Sequence, residues 1–163
     1  MTAPLHPVYT NEVTPDYLRT LDQLPFTEQQ LAGFSEEALI RVRQRQAYCK
    51  AHPPTGICRF ATAGSQTRDG GVIQQATTRL TITLNDEQKA SVAQVGDCVV
   101  YSDGRTAQIV TGAGKDNSHF ALVGSLLCNG DRIINTPQSV AYCVLRDGIA
   151  KAEDFLPEGI SHA

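Results

Sequence analysis

The chain has 163 residues, of which 19% are charged, with 14 Lys and Arg against 17 Asp and Glu and a formal net charge of -3. That near-neutral balance argues against a protein that lives by neutralising nucleic-acid phosphates, and against one held on anionic lipid. The five cysteines are odd in number and include no CxxC pair, so a chain long enough to bury its own core is expected to keep them as reduced, mostly buried thiols.

The opening MTAPLHPVYTNEV has neither a basic n-region nor an apolar core, so no Sec-type signal peptide is expected. Nothing in the chain approaches the roughly 18 apolar residues of a membrane span, and no membrane anchor is expected. Thr14, Pro15 and Asp16 read as an N-cap, a first-turn proline and an early acid. Tyr17, Leu18, Leu21 and Leu24 follow at helical spacing until Pro25 closes the helix. Thr27 with Gln30 reads as a capping box for a short turn through Leu31. Ser35 opens a longer helix, Glu36 to about Cys49, whose Leu39, Val42 and Ala47 form only a thin stripe among Arg41, Arg43, Arg45 and Lys50. Such a helix is either a surface helix on its own domain or a docking helix for a partner chain.

The run His52-Pro53-Pro54-Thr55-Gly56 marks a boundary. Beyond it, short stretches of Val, Ile, Thr and Leu alternate with Gly, Asp and Asn turns, the pattern of a compact all-β unit. The expected organisation is a helical extension with a proline-rich linker over 1–55, a β unit over 56–146 and a polar tail over 147–163. The tail, with Pro157 and Gly159, is expected to trail along the surface.

The β unit contains an internal repeat. Its copies are Phe60-Ala61-Thr62-Ala63-Gly64-Ser65 followed by Gly70, Val92-Ala93-Gln94-Val95-Gly96-Asp97 followed by Gly104, and Phe120-Ala121-Leu122-Val123-Gly124-Ser125 followed by Gly130. Each returns to a β run: Val72-Ile73, Ala107-Gln108-Ile109-Val110 and Ile133-Ile134. The first glycine permits a tight bend, the Ser65, Asp97 or Ser125 side chain can hold that bend through a backbone N–H, and the second glycine closes a hairpin. One such unit cannot bury a core alone, whereas three packed about a common axis can, which predicts a small, tapered pseudo-threefold body.

Candidates for chemistry are few. Cys49, His52 and Cys58 carry metal-capable side chains at a spacing that fits no zinc pattern. His119 reads as a loop histidine, with an apical ligand as the alternative, and Cys128 could join it in a non-standard metal site. Gly124-Ser125 lacks the G-x-S-x-G elbow, and Gly112-Ala113-Gly114-Lys115 lacks the Walker spacing. A structural protein rather than an enzyme is expected.

The stretches ATAGSQTRDGGVI, VAQVGDCVVYSDG, AQIVTGAG and FALVGSLLCNGDRII, with Gly70-Gly71 as the double glycine, resemble the PAAR-repeat family, the tip proteins of type VI secretion spikes. The resemblance implies a mainly β fold: a short conical, pseudo-threefold body of β-hairpins, here with an N-terminal α-helical extension. It implies a non-enzymatic cap on a VgrG-type trimeric spike that carries or recruits effector cargo. Related readings are an adaptor whose N-terminal helices bind an effector or its chaperone, and the tip of a phage-like contractile tail. Such a protein would be made in the bacterial cytoplasm and exported with the spike. The naming tetrapeptide is not intact, since Ser91-Val92-Ala93-Gln94 precedes Gly96. The family's apex usually holds a metal through histidine and cysteine, and the matching positions here are Asp69, Tyr101 and Asp103. Asp69, Asp103, Cys128 and Asn129 are the expected apex residues; they are poor zinc ligands as a set, and no cofactor is expected.

Overall fold

The computed structural model describes residues 7–157. They fall into two compact units: hairpins over 58–143 with 7–11 and 151–157, and helices over 12–57 with 144–150. This interleaving differs from the single cuts expected after residues 55 and 146. Residues 144–150 group with the helices because Asp147 N–H donates to the Pro53 carbonyl at 3.0 Å and His52 Nδ1–H donates to the Asp147 carbonyl at 2.9 Å. Residues 7–11 group with the hairpins through Tyr9, which exchanges backbone hydrogen bonds of 2.8 and 3.0 Å with Thr136. The segment 151–157 is tied down rather than trailing: Leu156 N–H donates to the Gly112 carbonyl at 2.8 Å, and the Asp154 carboxylate accepts from Lys115 N–H at 2.9 Å. The expected tail over 158–163 lies outside the described residues.

In the helical unit, α1 (Pro15–Thr20), α2 (Glu28–Ala32) and α3 (Glu36–Ala51) begin where the caps predict. Thr14 Oγ1 accepts from Tyr17 N–H, Ser35 Oγ from Ala38 N–H, and Thr27 with Gln30 forms a reciprocal capping box. The first helix ends at Thr20, short of the expected Leu24. Asp22, just beyond its end, is gripped by Arg146 in a two-pronged pair of 2.6 and 2.9 Å, and Arg146 Nη1 also donates to the His52 carbonyl at 3.0 Å. Arg146 holds the Asp22 carboxyl below the ordinary carboxylate range.

The strands are short. They are β1 (Pro54–Arg59), β2 (Val72–Ile73), β3 (Thr81–Thr83), β4 (Lys89–Ser91), β5 (Cys98–Val100), β6 (Thr106–Gln108) and β7 (Tyr142–Arg146). They form small sheets, β1-β7, β2-β5-β6 and β3-β4, and their measured registers are antiparallel. The fold is mainly β with helices.

The repeat is realised bond for bond. In the three copies, Gly64, Gly96 and Gly124 have φ of 96, 99 and 109°. Their N–H groups donate to the Ile73, Ile109 and Ile133 carbonyls at 2.7, 2.9 and 2.8 Å. The side chains of Ser65, Asp97 and Ser125 accept from the backbone N–H three residues back, on Thr62, Gln94 and Leu122, at 3.0, 3.0 and 2.9 Å. Asp97 does more than its serine counterparts: its Oδ1 also accepts from the Thr77 hydroxyl at 2.6 Å, tying down the chain that links the first two copies.

The copies then bond to one another in a ring. Ala93 N–H donates to Ala61 O, Ala121 N–H to Ala93 O, and Ala61 N–H to Ala121 O, at 2.9, 2.8 and 2.9 Å. The bridges follow the same cycle: Thr62 with Val92, Gln94 with Phe120, and Phe60 with Leu122. A second cycle joins Ile73 to Val99, Ile109 to Leu127, and Ile133 to Thr67. Inside these cycles the core is stacked in threes, with Ala61, Ala93 and Ala121 at 0% exposure and Ile73, Ile109 and Ile133 at no more than 1%. The middle hairpin, from Asp97 to Ile109, is longer than Ser65 to Ile73 or Ser125 to Ile133, so β5 and β6 form a regular ladder with Val99 opposite Ala107.

The cysteines depart from expectation. All five are free thiols, but only Cys58 is buried; Cys49 and Cys143 are half-buried, and Cys98 and Cys128 are exposed.

At Gly96 a Cβ would meet nothing within 4 Å, so Gly96→Ala isolates the left-handed backbone cost. Urea unfolding is expected to show a loss of about 1–3 kcal/mol. Gly112→Ala, whose Cβ would lie 2.6 Å from the Phe120 carbonyl, is expected to cost more than Gly96→Ala.

Candidate functional site

The second glycines, Gly70, Gly104 and Gly130, close the hairpins with φ of 94, 88 and 87°. Their N–H groups donate to the carbonyls of Thr67, Tyr101 and Leu127 at 3.1, 2.9 and 3.0 Å. At this turn end the resemblance places a metal, and here the three copies meet in a polar knot.

The knot centres on Asp131, whose side chain is fully buried. Its Oδ2 accepts from the Tyr101 hydroxyl at 2.5 Å, and its Oδ1 accepts from the backbone N–H of Arg132 and Asp69 at 2.7 and 3.1 Å. Asn129 closes the loop, donating from Nδ2 to the Tyr101 oxygen at 3.0 Å and accepting from Asp131 N–H on Oδ1 at 3.0 Å. Thr67 Oγ1 accepts from Gly71 N–H at 2.8 Å, and its hydroxyl helps hold the Asp131 carboxyl below its ordinary value. The knot thus brings together Thr67 and Asp69 of the first hairpin, Tyr101 of the second, and Asn129 and Asp131 of the third. Gly71 makes room: a Cβ there would sit 3.0 Å from the Tyr101 ring, Thr67 Oγ1 and Val99.

The electrostatics follow from this packing. Burial pushes the Asp131 carboxyl up, but hydrogen bonds from Thr67, Tyr101 and the Arg132 and Asp69 N–H groups outweigh it and hold the group below its ordinary value. Burial raises the Tyr101 phenol, and its bond to the Asp131 carboxylate raises it further, against the opposing bond from Asn129.

Of the expected apex residues, only Asn129 turns into the knot. Asp69 and Asp103 stand outside, paired with Arg68 and Arg105 at 3.2 and 2.6 Å, their side chains 55% and 53% exposed. Cys128 is exposed, and its Sγ accepts from Gln108 N–H at 3.4 Å. His119 follows a short 3-10 turn, Lys115–Asn117, and is held through its backbone by Gly114 and Val95. Among the described residues, no group of three or more His, Cys, Asp or Glu side chains is placed to hold a metal. The inward groups are a phenol, a carboxylate, an amide and a hydroxyl, and this set does not fit the thiolate and imidazole demand of a zinc site. The turn glycines, together with Ser65, Asp97 and Ser125, sit at the bends their spacing predicts.

The residues that sequence reasoning missed are Asp131, Tyr101 in its bonding role, and Thr67. A signal existed in the repeat register. Gly71, Arg105 and Asp131 occupy one position, each carbonyl accepting from the residue that opens its turn, and a carboxylate aligned with a glycine implies space shared between copies.

Comparison with protein-family models, with curated proteins and with solved structures finds no match.

Asp131→Asn is expected to destabilise the fold by about 2–4 kcal/mol, and Tyr101→Phe by about 1–3 kcal/mol, in urea melts at neutral pH. The sign with pH follows from the lowered carboxyl. Its contribution is present above the ordinary value of 3.8 and is lost as pH falls through the lowered folded value. An acid titration of thermal stability should therefore show a drop that Asp131→Asn lacks; identical acid limbs would remove Asp131 from this role.

Proposed function

We propose that the protein is a non-enzymatic tip: a PAAR-like cone that caps the blunt end of a VgrG-type trimeric spike in a type VI secretion system and travels out with it. The observation that carries this reading is the ring of Ala61, Ala93 and Ala121, which gives one chain three backbone-equivalent sides. A single chain with that repetition can meet a true threefold partner with the same main-chain groups on each side, whereas an ordinary asymmetric domain cannot. The turn end, tightened by Asp131, would lead, and the opposite end, where Phe60 and Phe120 pack edge to face with centroids 5.6 Å apart, would face the spike. A knot built from side chains suits a part that must stay folded through export without drawing on a metal supply.

A second reading, of a carrier or adaptor, is favoured by the helical unit. Its three helices bury no side chain, which leaves apolar surface for an effector or its chaperone.

Mixing the full chain with a trimeric spike of this type and measuring the mass of the complex is expected to give one copy per trimer. A three-to-three complex, or no complex, would overturn the capping role.

A further inference from the structure

The helical unit lacks a core of its own. Among its described residues only Ile57 is buried, and a body of this size needs apolar burial to hold its helices. It presents instead a groove of about 770 Å³ between the chain joining α1 to α2 and one face of α3. Leu24 and Phe26 line one side at 36% and 37% exposure, and Val42 lines it from α3. Phe26 is propped edge-on by Phe34, with ring centroids 4.9 Å apart, so the apolar floor is braced.

The charges of the groove are one-sided. Arg41, Arg45 and Lys50 line its α3 wall. The carboxylate within it, Asp22, already has both oxygens on Arg146. Asp22 also feels Arg45 but is committed to Arg146, so Arg41 and Lys50 face the groove with no further carboxylate among its lining residues. The walls are helices and a turn rather than a sheet edge, so an incoming segment finds no strand to pair with and must satisfy its own backbone. A second copy of this chain would bring the same cations of α3 against these, and like charges oppose that pairing.

We propose that this groove docks an acidic amphipathic helix of a partner protein, with apolar residues at helical spacing on Leu24, Phe26 and Val42 and carboxylates against Arg41, Arg45 and Lys50. The proposal rests on the carrier half of the reading above and not on the capping half.

The test titrates the full chain into three fluorescent 18-residue peptides: a Leu/Glu peptide with leucines at i, i+3, i+4 and i+7, its Leu/Lys counterpart, and a scrambled Leu/Glu peptide. The expected result is saturable binding of the first alone, with a dissociation constant below about 100 μM. It should weaken as salt rises and fall at least about tenfold in Arg41→Glu/Arg45→Glu. Both arginines are exposed, so their reversal leaves folding intact by circular dichroism; Phe26→Ser, with the same spectrum checked, should also lose binding. Equal binding of all three peptides, or affinity unchanged by the charge reversal, would overturn the proposal. So would a native mass showing a dimer that the reversal dissociates, because the groove's occupant would then be a second copy. The one-per-trimer mass is read separately, so failure of the groove and failure of the cap are distinguishable.

Discussion

Each of Ala61, Ala93 and Ala121 gives its N–H to one neighbouring copy and its carbonyl to the other, and the three bonds close on themselves. Closure leaves no strand edge at the centre, so the short strands around it need not be long to be stable. It also fixes the side chains. Three residues facing one axis in a ring bonded at 2.8–2.9 Å leave room for little more than a methyl group each, and all three are alanine at 0% exposure. The next layer, Ile73, Ile109 and Ile133, is buried to no more than 1% exposure. The bends that bring each copy into the ring depend on a positive-φ glycine and on a Ser or Asp oxygen that reaches back three residues. Remove the bend and the alanine no longer meets its partners.

The ring leaves one end where three turns converge, and their inward polar groups need partners. A buried carboxylate without them would be far too costly. Asp131 resolves this by accepting from two backbone N–H groups on Oδ1 and a phenol on Oδ2, so its burial is compensated at both oxygens. Tyr101 fills the remaining space at this end, its ring lying against Gly71. The cost of this solution is its dependence on ionisation, since the knot needs the carboxylate and not the acid.

The helical unit follows other physics. Its caps are local and well made, yet the apolar residues of its helices stay at least partly exposed, and its firmest tie is the Arg146–Asp22 pair. The helical unit is thus held by an ion pair and caps around a basic, apolar-floored groove, whereas the hairpin unit is held by a closed ring of backbone bonds.

What the sequence by itself determined was whatever is decided within a few residues. Thr14, Thr27 and Ser35 were legible as helix starts because a cap bonds two or three residues ahead, and the glycine bends were legible because φ is a property of one residue. Asp69 and Asp103 were readable as turn residues but not as bystanders, because each is paired with an adjacent or near-adjacent arginine while the place inside went to Asp131. Tertiary structure alone decided the alanine ring, whose members lie in different copies, and the Tyr101–Asp131 bond, made across 30 residues. It alone decided the early end of α1 beside the Asp22–Arg146 pair, made across 124 residues. The reason is the same in each case: a repeat specifies its own bend, but which copies touch, and which polar groups are then shut in together, is fixed only when the ring closes.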